Sequence, residues 1–144
     1  MLLLSTLGCS KKDEPAPTLE GTWDITAIVT TQYYADGTTR YQNTATFPVG
    51  KDINARYVTY TSTTMQAFFG LNGASTPAIG YTRSGNTLSF SIIPAGSSTP
   101  APVGESAITL LTATELTLLA KGPATQPAGS PYDYSTNETH YMRR

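Results

Sequence analysis

The chain has one cysteine, Cys9, among its 144 residues. A lone thiol cannot close an intramolecular disulfide, so packing must hold the fold together. Charge is almost as scarce: 13% of residues are charged and the formal net charge is −1. That leaves no electrostatic footprint for nucleic acid or an anionic surface. With one histidine and one cysteine, the chain lacks the converging ligands of a zinc site. No apolar run approaches the roughly 20 residues of a membrane-spanning helix. Gly70-Leu71-Asn72-Gly73 lacks the Gly-Lys-Ser/Thr ending of a phosphate loop. Glu and Lys, the usual residues of a helix surface, are few.

Thr is plentiful instead, and there are nine tyrosines. Both suit a pleated, half-buried surface, and Thr loses side-chain freedom in a helix. The composition predicts an all-β protein with no helix longer than one turn. From Thr22 to Tyr34 the odd positions read Trp23, Ile25, Ala27, Val29, Thr31, Tyr33. The even ones are mostly polar, with Ile28 the exception, so a strand with one buried face is expected. Asp36-Gly37 marks a hairpin turn. Further strands are expected at about 39–47, 53–61, 63–69, 79–83 and 87–92, then at 106–111, 114–120 and 135–143. Residues 94–104 and 121–131, rich in Pro, Ser, Ala and Gly, read as loops. Eight to nine short strands joined mostly to their sequence neighbours suit an up-and-down antiparallel barrel, which removes exposed edges. A β-sandwich is the second choice.

Composition changes sharply at Cys9. Met1 to Gly8 is mostly apolar and ends in a small residue, whereas Ser10-Lys11-Lys12-Asp13-Glu14-Pro15-Ala16-Pro17 is charged and proline-rich. This junction resembles that of bacterial lipoproteins, which are cleaved before a cysteine that then carries acyl chains. The resemblance implies a signal peptide over 1–8, shortened because no basic residue precedes the cysteine. It also implies a lipidated flexible tether over 9–18 and a domain over 19–144. Ser10 to Glu14 is similar to the charged tag that directs some lipoproteins to the bacterial outer membrane or cell surface. A single acyl chain binds a bilayer marginally, whereas several hold firmly. A membrane, reached through lipid on Cys9, is therefore the first expected partner.

Gly21-Thr22-Trp23, directly after the tether and on the only Trp, resembles the Gly-x-Trp start of lipocalins. An Arg-bearing strand also ends the chain, and two hairpins, Tyr81 to Leu88 and Leu111 to Leu118, look like those of small bacterial lipocalin-like lipoproteins. The resemblance implies that Trp23 plugs one end of the barrel. Arg143 would lie over its ring, with Arg144 the less favoured partner. It also implies binding of a small, partly apolar ligand inside the barrel.

Candidate chemistry is sparse. His140 falls two residues after Glu138, hence on the same strand face, the minimum for a hydroxyl–His–carboxylate catalyst. An ordinary surface or core histidine is the simpler reading. No pair of carboxylates is set in an apolar stretch that would raise one pKa for glycoside hydrolysis. The expectation is a monomeric, non-enzymatic protein without cofactor, metal or nucleic acid. Phe47, Tyr57, Phe68 and Tyr81 are the candidate pocket lining. The alternative is an interaction module that meets a protein or glycan through its loops.

Overall fold

A computed structural model describes residues 16–122 and 129–144. Cys9, the expected signal segment and the tether up to Pro15 lie outside the described residues. Ten strands follow in order: β1 (Gly21–Tyr33), β2 (Thr39–Thr46), β3 (Arg56–Tyr60), β4 (Thr64–Phe69) and β5 (Ala74–Ser75), then β6 (Ile79–Ser84), β7 (Thr87–Ile92), β8 (Ala101–Leu111), β9 (Glu115–Lys121) and β10 (Tyr134–Arg143). Among the described residues there is no helix.

Every ladder is antiparallel, and the sheet runs β10-β9-β8-β7-β6-β4-β3-β1 before β1 pairs back to β10. Eight strands therefore close a barrel, as expected, and the sandwich is excluded. β5 pairs β4 from outside that ring. β2 is also outside it. The first part of β1, Gly21 to Asp24, pairs with β3, whereas Ala27 to Tyr33 pairs with β2 along the same edge. With β10 on its other edge, β1 thus belongs to the barrel at one end and to a three-stranded extension at the other.

The switch occurs at a β-bulge between Ile25 and Ala27. One extra residue reverses the alternation of the rest of the strand. Trp23 and Ile25 belong to the buried core, and beyond the bulge it is Ile28 that packs against it. This explains why Ile28 broke the odd-position pattern. The core is completed by Leu19, Val58, Tyr60, Tyr81, Leu88, Ile108, Leu116 and Leu118.

Two turns form as their residues predict. Gly37 has φ 85° and Gly85 has φ 57°, the left-handed region that glycine enters without steric cost. Asp36 accepts from the Thr38 backbone N–H at 2.9 Å and from its hydroxyl at 2.7 Å. These bonds, the hydroxyl first, lower the Asp36 pKa. Some boundaries differ: residues 53–55 lie before β3 in turn and loop rather than in a strand, and Ala101 to Gly104 is not loop but the start of β8, paired with β7. A Pro-containing stretch can still extend a strand where its missing N–H faces no partner. β8 pairs with β9 only from Ser106 onward, so Pro102 lies where that edge is unpaired.

Candidate functional site

The closed end of the barrel is built around Trp23, whose side chain is fully buried. Its indole Nε1 donates to the Leu19 carbonyl at 2.8 Å, so the one polar atom of the ring is satisfied. The Arg143 guanidinium lies 4.2 Å from the ring centroid. Strand register causes this, since Trp23 and Arg143 are direct partners across β1 and β10. Arg143 also donates to the carbonyls of Ala113 at 2.9 Å, Glu20 at 2.8 Å and Thr18 at 2.7 Å. One guanidinium thus ties the incoming chain, the β8–β9 turn and the indole together.

The same core also holds tyrosines. Tyr60 and Tyr81 meet edge to face, with centroids 5.6 Å apart. The Tyr81 hydroxyl donates to the Thr61 carbonyl at 2.6 Å. Burial is the main cause that raises the pKa of Tyr81, and it raises that of Tyr60 well above the ordinary tyrosine value. Tyr141, also desolvated, is pushed up to about 12. These phenols stay neutral. Tyr60 and Tyr81 belong to the core, and Tyr141 packs against it.

The open end is less completely filled. A cavity of about 290 Å³ there is lined by Met65, Ile79, Phe90 and Ala120, with Val103, Gly104 and Ser106 beside them. Glu105 and Lys121 are its only charged lining residues. A groove of about 470 Å³ shares Glu105, Ser106 and Lys121 with it and continues over Thr87, Ala107 and Leu119. The ladder explains the junction. The β8–β9 pairing starts at Ser106 and Ala120, so the two strands part beyond that point. Gly104 borders open space, because a Cβ built there would meet nothing within 4 Å.

The four aromatic residues expected to line one pocket are not brought together. Tyr81 is in the buried core. Phe47 packs against that core with the Arg56 guanidinium 4.6 Å from its centroid. Tyr57 and Phe68 stack on each other at 4.6 Å, and Arg144 lies 3.9 Å over Tyr57. In β3 it is Val58 and Tyr60 that reach the core, so Tyr57 points to the outer wall. Arg144, set aside as a partner for Trp23, belongs to this outer cluster.

The same cluster holds a buried ion pair that the sequence reading missed. Asp24, fully buried, accepts from Arg144 Nε at 2.7 Å and from the Gly50 N–H at 2.8 Å. Asn54, also buried, donates to the Ile25 carbonyl at 2.9 Å, and its own carbonyl accepts from Arg144 at 2.8 Å. The segment from Phe47 to Ala55 therefore covers the outside of β1. An even position in an alternating strand reads as solvent-facing, so no local signal marks Asp24 as buried.

His140 has the contacts its position allowed. Its Nε2 is 2.8 Å from Glu138 Oε1, and its Nδ1 is 3.4 Å from the Thr117 hydroxyl. Carboxylate, imidazole and hydroxyl stand in catalytic order. Yet Thr117 sits mid-strand, paired to β8 and β10, and its carbonyl accepts from Thr109 at 3.3 Å. Amides committed to ladders on both sides are not free to stabilise a developing oxyanion. Among the described residues, no group of three or more His, Cys, Asp or Glu could hold a metal ion.

Two solved structures are similar to this chain. One is a lipocalin-like protein from Bacteroides uniformis, 14% identical, with a TM-score of 0.46, covering 88% of this chain and 98% of that one. The other is an uncharacterized protein from Bacteroides eggerthii, 10% identical, with a TM-score of 0.45, covering 88% of this chain and 100% of that one. No family model and no curated protein matches.

Proposed function

We propose that this protein is a lipid-anchored, non-catalytic binder of a small, partly apolar ligand, held at the bacterial outer membrane or cell surface through Cys9. The observation that carries the reading is the contrast between the two barrel ends. One is sealed by Trp23, Leu19 and Arg143; the other holds a cavity walled by Met65, Ile79, Phe90 and Ala120. Its volume, about 290 Å³, is close to the lower bound of ordinary ligand sites. The occupant is therefore compact, with its apolar part against Phe90 and Ile79. Any polar group it has faces Ser106, Glu105 and Lys121, where β8 and β9 part.

The test fills the cavity. Ala120→Phe places a ring where the ligand would lie, on a residue whose side chain is now a single methyl. Titration with the apolar fluorophore N-phenyl-1-naphthylamine is expected to show saturable binding that falls at least tenfold in the variant. Binding unchanged by the substitution would place the ligand elsewhere. Anchoring is tested separately: Cys9→Ser should move the protein from the membrane pellet to the soluble fraction. A variant that still pellets would refute the anchor.

A further inference from the structure

The extension of β10, β1 and β2 beyond the bulge has a composition unlike that of the barrel. Thr30 to Thr44 reads TTQYYADGTTRYQNT, and Tyr132 to Asn137 reads YDYSTN. Neither stretch contains Val, Ile, Leu, Met or Phe. Together they hold five of the nine tyrosines: Tyr33, Tyr34, Tyr41, Tyr132 and Tyr134. This outer part of the extension, past Ile28 and Val29, has Ala35 as its one aliphatic residue, so it is not a piece of missing core, and β2 is exposed along nearly its whole length.

The backbone of this extension is nonetheless well fixed. Tyr33 and Tyr134 are cross-strand partners whose rings stack at 4.7 Å with planes 11° apart. Asp133 accepts from the Ala35 N–H at 2.8 Å, and Gln42 donates to the Thr31 hydroxyl at 3.1 Å. On the opposite face, alternation places Thr30 and Gln32 of β1 with Tyr41 and Asn43 of β2 and Asn137 of β10. Thr30 donates to Asn137 Oδ1 at 2.8 Å, and Arg40 donates to Gln32 Oε1 at 3.3 Å. Tyr41 is 50% exposed, and Tyr34, at the tip of the same hairpin, is 46% exposed.

We infer that this face binds a neutral carbohydrate. A pyranose ring has an apolar C–H face, which a solvent-facing aromatic ring can cover, and a rim of hydroxyls. Each hydroxyl both donates and accepts, as does a carboxamide, so Gln32, Asn43 and Asn137 match that rim in kind. Tyr34 and Tyr41 supply the rings, with a polar tip that stays hydrated. Amides dominate this face, its one cation, Arg40, is bonded to Gln32, and the carboxylates of Asp36 and Asp133 stand at the same hairpin tip, which selects against strongly anionic polymers. A protein hot spot would instead be expected to centre on a desolvated apolar pocket, which this face lacks. The site is on the extension, not in the barrel cavity, and it is independent of the small-ligand reading.

The test is affinity electrophoresis of the purified full chain in gels that contain soluble α-glucan, β-glucan, xylan or mannan. At least one of these neutral polysaccharides is expected to retard the protein. Tyr34→Ala combined with Tyr41→Ala should weaken that retardation at least tenfold without lowering the melting temperature. Tyr41→Phe should preserve most of it, and Ala120→Phe should leave it intact. Retardation by dextran sulfate alone would overturn the inference. So would equal retardation of the double variant, or silence toward the whole panel, as a protein-binding face would give.

Discussion

The two halves of β1 make opposite use of one strand. Before the bulge, Trp23, Asp24 and Ile25 are all buried, facing the core on one side and the Asn54–Arg144 cluster on the other. After it, the strand carries hydroxyls, amides and tyrosines out into a partly solvated sheet. Stability is thus concentrated where β3 pairs with β1, and surface chemistry where β2 does. A single inserted residue at Thr26 separates the two regimes, because it sends Ile28 inward and leaves the remainder of β1 free to be polar.

The sharpest way to break that division is Trp23→Ala. Removing a fully buried aromatic residue should cost about 3–5 kcal/mol in chemical denaturation, through lost transfer energy and the cavity left behind. An unchanged midpoint would mean that the plug does not hold the barrel. A smaller effect comes from alkaline pH. Tyr141 titrates near 12 when folded, against an ordinary value of 10. A group whose folded pKa is raised contributes stability that is complete below its unfolded value and lost as pH climbs through the folded one. Stability should therefore be flat up to about pH 10 and fall by about 2–3 kcal/mol by pH 12 from this residue alone. Tyr60, raised in the same direction, should steepen the decline. Thermal unfolding followed across that range checks the sign. Least of all should be Tyr34→Ala with Tyr41→Ala, each within about 0.5 kcal/mol as exposed surface positions. A larger loss would mean that the extension also carries load.

Most of the wall was legible in the sequence because period-2 patterning and turn residues act locally. Trp23 to Ile25, Asp36-Gly37 and the Ser84-Gly85-Asn86 turn each specify their own geometry. The placement of Arg143 over Trp23 came from a resemblance; no local signal in either residue encodes a contact across 120 positions of chain. The expected pocket missed for a physical reason. Alternation separates the two faces of a strand without saying which is inward, and a loop folded over the outside can bury both. That is the situation of Tyr57 and Phe68, covered by Arg144. It is also that of Asp24, beneath the Gly50 and Asn54 backbone. Met65 and Phe90, which do line the cavity, carry a local signal, since both alternate with polar neighbours along their strands.

The ring of staves is not uniformly glued. β4 and β6 share only two partnered positions, Thr64 with Gly80 and Met65 with Ile79, whereas β1 and β10 are joined over ten. A hoop yields first at its shortest joint, so thermal breathing of this cylinder should start between those two strands. Met65 and Ile79 also line the cavity, and the first gap to appear would therefore be a side door onto the very space a guest molecule would occupy.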